Sequence, residues 1–323
     1  MDLDALRRRF TKSALWGRLA TCKPIGNRPA RRFAIAAQDA ILPHGIAACA
    51  LLFFGVALSA ADLPRRIVSL SPNLTEILYG IGAFPQVAGV TDYCTYPPEA
   101  AKIPSVGGWA NPSFEKLVSL RPDLVVLDDA QAPLFEQNFH DLGLRTLIAR
   151  DHNIEQVYGA METLGRATGH AQTAAQLAAS TREGLARVSR RTSPLSKPSV
   201  VLIVDRTPGT LRDLYAVSGG GYLAELVAIA GGRIAGPPAE AGYGKMSKED
   251  LLAINPEIIL DFTHGAVGRF AADPLEAWRE MPELRAVSAH RVYAVNEDYV
   301  PHASQRMVQT AELFARLLHP ELK

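Results

Sequence analysis

Along residues 62–323, short apolar runs alternate with segments whose apolar positions recur every three or four residues. Residues 66–70, 87–90, 124–127 and 144–148 read as short strands. Ser71-Pro72 opens a helix, with Ser as its N-cap and Pro at its first position. Leu74, Ile77, Leu78 and Ile81 then share one face, and Gly80 and Gly82 close it. Asn153-Ile-Glu-Gln156 is a capping box, followed by Ile154, Val157, Met161 and Leu164 on one face. Residues 171–190 are rich in Ala and poor in bulky side chains, which predicts one long helix with an exposed side. It stops at Ser193-Pro194-Leu-Ser-Lys-Pro198, and the β run 199–205 follows. Strands alternating with helices predict parallel pairing and an α/β sandwich. The break between the two halves is bridged by a helix, not by a flexible linker.

The pattern also repeats. Gly108-Trp109-Ala-Asn-Pro-Ser113-Phe-Glu115-Lys-Leu117-Val-Ser-Leu120-Arg-Pro122-Asp123 has a second copy, Gly242-Tyr243-Gly-Lys-Met-Ser247-Lys-Glu249-Asp-Leu251-Leu-Ala-Ile254-Asn-Pro256-Glu257. Every pair stands 134 residues apart without a gap, and an apolar run follows each copy. A looser echo pairs 76–82 with 225–231. A period this long excludes a solenoid and predicts two lobes of similar build. In each copy Ser113 or Ser247 is an N-cap, and Glu115 or Glu249 lies in the first turn, where the helix dipole favours an anion. Leu117, Leu120, Leu251 and Ile254 face the core, and Pro122 and Pro256 end the helices. Trp109 and Tyr243 sit in matching loops just upstream, so lobes that face each other place both rings on a shared cleft.

The first sixty residues differ. Between Ala40 and Ala61 there is no Asp, Glu, Lys or Arg, and the apolar run ends in Ser59-Ala60-Ala61. That is the pattern of a secretory signal over 1–61, with an unusually long basic region before it. Three alternatives stand beside it: a twin-arginine signal at Arg7-Arg8-Arg9, a lipobox ending in Cys49, and an uncleaved single membrane anchor. The whole chain carries a net charge of +1, which gives no electrostatic footprint for nucleic acid. Removing 1–61 leaves 25 basic and 30 acidic residues, an acidic soluble chain. It also leaves Cys94 as the sole cysteine, read as a buried free thiol.

Four segments carry a family resemblance: Ser69-Leu-Ser-Pro-Asn-Leu-Thr-Glu76, Val90-Thr-Asp-Tyr-Cys-Thr-Tyr-Pro-Pro98, Gly107-Gly-Trp109 and Leu120-Arg-Pro-Asp-Leu-Val-Val126. They resemble the helical-backbone substrate-binding proteins of ABC importers, and within that group are most similar to periplasmic cobalamin-binding proteins. The resemblance covers about residues 65–320. It implies two α/β sandwich lobes, 62–168 and 194–323, joined by a single long rigid helix at 169–193, with the ligand cleft between the lobes. It implies a monomer with no cofactor and no catalytic step, secreted to the periplasm, which takes a corrinoid to a permease dimer. It assigns ligand contact to Tyr93, Tyr96, Trp109, Tyr243, Asp298, Tyr299 and Arg306, and permease docking to Glu115 and Glu249. Tyr243 and Tyr299 stand where a cobalamin binder often has Trp, which leaves the ligand itself open. Asp298 and Arg306 either meet peripheral amides of the ligand or pair with each other. His302 and Cys94 are the candidates for axial contact with a bound metal centre.

The competing readings are a siderophore or haem binder on the same scaffold, a free-metal binder and an enzyme. An anionic siderophore favours several Lys or Arg in the cleft, and the motif loops offer aromatics, Asp298 and one base, Arg306. A free-metal site needs about three or four convergent ligands. His140, His152, His170, His264, His290, His302 and His319 show no clustered spacing. The chain has no Gly-x-Ser-x-Gly, phosphate loop or His-Glu-x-x-His, and Gly219-Gly-Gly221 reads as a turn.

Overall fold

A computed structural model describes residues 63–238, 242–262 and 275–322. The expectations for 1–61, Cys49 included, and His264 lie outside the described residues. The first sheet contains β1 (Ile67–Ser69), β2 (Val87–Gly89), β3 (Leu124–Asp128) and β4 (Thr146–Ala149), all parallel, in the order β2-β1-β3-β4. It is flanked by α1 (Pro72–Gly80), α2 (Phe114–Ser119), α3 (Ala132–Asp141) and α4 (Ile154–Thr168). Helix α5 (Ala171–Thr192) then leads to the second lobe. That lobe contains β5 (Ser199–Asp205), β6 (Leu214–Val217), α6 (Tyr222–Ile229), β7 (Arg233–Ile234), β8 (Tyr243–Met246), α7 (Lys248–Ile254), β9 (Ile258–Phe262), α8 (Arg285–Ser288), β10 (Val292–Val295) and α9 (Met307–Leu318). The main strand order is β10-β9-β5-β6-β8, with β7 beside the start of β5.

The second sheet departs from all-parallel pairing. Strands β5, β9 and β10 are parallel, but β6 runs antiparallel to both β5 and β8. The cause is the connection. A hydrogen-bonded turn through Thr207, Thr210 and Arg212 joins β5 to β6. A parallel crossover needs about a dozen residues or more, so a shorter link sends the chain straight back.

The repeat is structural as well as sequential. Helices α2 and α7 are capped by Ser113 and Ser247, whose hydroxyls accept the N–H of Lys116 and Asp250. Arg121 and Asn255 both adopt left-handed backbone (φ 48° and 44°) just before Pro122 and Pro256. Asp123 then accepts the N–H groups of Arg65 and Arg66 at 2.8 and 3.0 Å, and Glu257 accepts that of Ser199 at 2.8 Å. Each acid thus pins the entry of its lobe's central strand beside β3 or β9.

Two expected caps differ in detail. The Ser71 hydroxyl turns to the Asn73 side chain and does not cap α1. Asn153 accepts the Gln156 N–H, but the N1 amide of α4, from Ile154, is taken at 2.8 Å by Glu225 of the second lobe. The looser echo has a matching role on the other side. Glu76 of α1 is buried and crosses to the segment before α9, where it meets His302, Ser304 and Arg306.

One face of α5, with Ala174, Ala178, Gly184, Leu185 and Val188, is packed, and Ala171, Ala175 and Ala179 lie on its exposed side, as the sequence predicts. A Cβ on Gly165 of α4 would fall 2.3 Å from the Ala174 Cβ, and one on Gly184 of α5 would fall 2.8 Å from Val308 of α9. Small residues therefore let α4 and α9 close onto the same helix. One continuous core runs from Leu74 and Ile77 through Ala178 and Val188 to Phe314. Two smaller cores lie on the outer sheet faces, around Phe139 in the first lobe and Trp278 in the second. A shared interior of this density resists shear between the lobes. No helix among the described residues is long and apolar enough to cross a membrane.

Candidate functional site

Parallel strands present their carboxyl ends to ligands in open α/β sheets. In the first lobe these ends are polar. Asp128 closes β3 and is buried at 5% exposure. It accepts the Trp109 indole N–H at 2.9 Å and the Gln131 backbone N–H at 2.9 Å. Gln131 donates in turn to the backbone oxygens of Trp109 and Leu70, both at 2.9 Å. The Trp109 loop is therefore fixed from both its ring and its backbone. Asp151, between β4 and α4, is held by the Asn73 amide. Burial first, then the charges of Asp128 and Asp129, push its carboxyl up to about 7. Burial likewise raises Asp128, opposed by the Trp109 bond.

In the second lobe the corresponding surface is apolar. A cavity of about 280 Å³ is lined by Leu202, Val204, Tyr215, Leu223, Tyr243, Phe262, Val300 and Pro301, with Asp205 its one acid. Tyr215 and Tyr243 stack with centroids 6.5 Å apart at 15°. Burial raises Tyr243 to about 12, with a hydrogen bond from Tyr222 acting against it. The lobes meet beside this cavity, where the Tyr222 N–H donates to the His152 carbonyl at 2.8 Å.

The residues singled out in the sequence fall into three groups. Tyr243 lines the cavity, while Trp109 sits on the opposite lobe against Asp128, with Tyr93 exposed on the neighbouring loop. Tyr96, Asp298, Tyr299 and Arg306 gather at one edge between the lobes. The Arg306 guanidinium stacks on Tyr96 and Tyr299 at 4.5 and 4.9 Å, and bonds Glu76 and Asp298 at 2.9 and 3.1 Å. Thr95 donates to the other Asp298 oxygen at 3.0 Å. Of the two readings of Asp298 and Arg306, the structure contains the mutual pair. His302 Nδ1 lies 2.8 Å from Glu76 Oε1. Cys94 is buried, 3.2 and 3.3 Å from the Thr75 and Thr91 hydroxyls, and burial raises its thiol pKa, which disfavours the thiolate a metal needs. Among the described residues, no group of three or more His, Cys, Asp and Glu is placed to hold a metal ion. Glu115 and Glu249 are exposed on α2 and α7, away from any hydrogen bond among the described residues.

Sequence reading missed Asp128, Gln131, Asp151, Tyr215 and Glu76. Asp128 and Asp151 each follow an apolar β run, and an acid at a strand's carboxyl end was the available signal. Tyr215 had none, because its stacking partner comes from a strand 28 residues on.

The chain belongs to the periplasmic binding protein family, whose model matches residues 67–299. The uncharacterized ABC transporter substrate-binding lipoprotein YvrC of Bacillus subtilis is 31% identical over 266 residues, covering 80% of this chain and 81% of that protein. The vitamin B12-binding protein of Photorhabdus laumondii is 26% identical over 259 residues, covering 79% and 88%. Among solved structures, the periplasmic vitamin B12 binding protein BtuF of Vibrio cholerae aligns with a TM-score of 0.68 at 22% identity, covering 80% of this chain and 98% of that one. The periplasmic heme-binding protein RhuT from Roseiflexus aligns with a TM-score of 0.70 at 23% identity, covering 80% and 99%. These structural likenesses establish the two-lobed fold. The family consists of binding proteins of ABC transporters, and the protein is a substrate-binding protein, not an enzyme.

Proposed function

We propose that the protein captures a corrinoid, cobalamin or cobinamide, between its lobes and delivers it to the permease of an ABC importer from the periplasmic side. The observation that carries the ligand is the contrast between the two walls. An apolar, tyrosine-lined recess on one lobe faces a wall containing Asp128 and Asp151 on the other. A flat macrocycle with neutral amide donors on its rim suits both walls: its face or edge packs on Tyr215 and Tyr243, and its amides donate to the Asp151 carboxyl, while Asp128 holds the Trp109 loop in place. An anionic chelate gains nothing from the acidic wall, and Arg306, at the edge between the lobes, is already engaged by Glu76 and Asp298. At about 280 Å³ the recess takes part of such a ligand, with the rest between the lobes. The vitamin B12-binding relative supports the same class.

Capture at a Kd near 10 nM requires about −11 kcal/mol. A few packed aromatic rings contribute about 1.5–3 kcal/mol each, and a preformed site lowers the ordering cost. Glu115 and Glu249, one exposed on each lobe, are the permease contacts in this reading.

Calorimetric titration with cyanocobalamin, cobinamide, haem and a ferric siderophore tests the ligand. One-to-one corrinoid binding below about 1 µM is the expected result. Heat with haem or siderophore alone would keep the scaffold and overturn the corrinoid. Changing Glu115 and Glu249 to Ala together is expected to spare binding and weaken transport, and unchanged transport would remove the docking role.

A further inference from the structure

The docking reading assigns each lobe one carboxylate, but a lone exposed charge makes a weak contact with a membrane partner. The two helices that carry the glutamates share a second feature. Leu117 and Leu251 are fully buried and anchor α2 and α7, whereas the next residues, Val118 and Leu252, point outward at 42% and 44% exposure. Single exposed aliphatics are ordinary on a protein surface. These two occupy equivalent places in the repeat, 134 residues apart, and each lies three residues after its glutamate. On a helix that spacing puts both side chains on one face. The matching caps of Ser113 and Ser247 fix both helices in the same way, and in α7 the reciprocal cap is made by Asp250, which leaves Glu249 outside it.

We propose that each lobe docks through a compound contact, Glu115 with Val118 on one and Glu249 with Leu252 on the other. The partner is a pair of like transporter subunits, each offering a cation beside an apolar depression. This inference rests on the docking reading of the glutamates and adds the part of the surface that excludes water. Seating the aliphatic side chain in a depression removes solvent from around the neighbouring ion pair, and a charge pair is stronger where the local dielectric is lower. Two copies of one surface, carried by two lobes of similar build, match a partner with two copies of one receptor.

The test measures docking of the purified chain to its cognate permease–ATPase complex in lipid nanodiscs, at about 50 and about 500 mM salt, a range over which exposed charge contacts are progressively screened. Ligand is omitted, so the result does not depend on the corrinoid assignment. Val118→Ser with Leu252→Ser is expected to raise Kd about tenfold or more at both salt concentrations. Glu115→Gln with Glu249→Gln is expected to raise Kd at low salt and flatten the salt dependence. Each serine substitution alone should weaken docking by a similar factor. Wild-type docking by the serine pair, alongside weakened docking by the glutamine pair, overturns the compound contact and leaves the glutamate reading standing. Wild-type docking by the glutamine pair overturns the glutamate reading and this inference with it. One serine single with no effect overturns the like-subunit partner. Unchanged melting temperatures confirm the fold, and if the serine pair unfolds, Val118→Thr with Leu252→Gln gives the same readout.

Discussion

Residues 128 and 262 occupy the same place in the two copies of the repeat, and there the lobes part company. Each ends the strand that follows α2 or α7, and each is nearly buried, at 5% and 6% exposure. One is Asp and the other is Phe. The upstream aromatics follow suit. Trp109 gives its N–H to Asp128, whereas Tyr243 lies with Phe262 on an apolar recess. On equivalent backbone and at equal burial, Asp128 makes hydrogen bonds that hold the Trp109 loop, whereas Phe262 packs on the recess. A cleft built this way suits a ligand with apolar faces and a polar rim.

Six substitutions break or sharpen that contrast. Phe262→Asp would write the first lobe's chemistry into the second. It deletes a buried ring and buries a carboxylate in an apolar setting, at an expected cost of about 3–5 kcal/mol in denaturant unfolding. A variant as stable as the parent would mean that the recess is wet. Next, Trp109→Ala and Tyr243→Ala should each weaken cyanocobalamin binding by about 1.5–3 kcal/mol, or roughly 10–100-fold by calorimetry. Loss from only one of them would assign the ligand to one wall.

Asp151→Asn tests the electrostatics of the acidic wall. The native carboxyl titrates at about 7, against an ordinary 3.8, so the folded state holds a proton that the unfolded chain releases between those values. Its contribution to stability is full below the lower value, falls as pH rises towards about 7, and is flat above. Asn removes that decline, so the variant should gain up to about 4 kcal/mol near pH 8 and little near pH 4. A gain that does not depend on pH would show that Asp151 is not the group responsible. The smallest effect expected is at the caps. Ser247→Ala should cost about 1 kcal/mol and Ser113→Ala somewhat less, because α7 has the reciprocal capping box and α2 a single bond. Thermal melts of the two variants would rank them.

Much of the architecture could be read along the chain. The spacing of Leu74, Ile77, Leu78 and Ile81 marked α1, and the repeat marked α2 with β3 and α7 with β9 as one unit used twice. The Ala-rich stretch marked a helix that runs, in the structure, from Ala171 to Thr192. Its packed face was not legible, because Ala is equally at home beside water or beside Gly165 and Val308, and only the neighbours decide. The antiparallel pairing of β6 with β5 and β8 was missed because strand direction depends on connection length, which the apolar run itself does not encode. Part of the candidate site was visible as two aromatics at matching places in the repeat, although Tyr243, expected in a loop like Trp109, begins strand β8. Asp128, Asp151 and Glu76 were not, since an acid after a strand or inside a helix ordinarily faces solvent. Here Glu76 is buried beside groups more than 220 residues away.

The sequence by itself determined the elements with clear periodicity or caps, α1, α2, α4, α5 and α7 among the helices, that the lobes are alike in build, and that one helix joins them, since these follow from local periodicity, caps and repetition. The tertiary structure alone decided which wall of the cleft is acidic, which carboxyl holds its proton near neutral pH, and that Arg306 of the second lobe reaches across to Glu76 of the first. Those properties depend on burial and on the distance between charges far apart in the chain, and both are set only when the two lobes close on a common core.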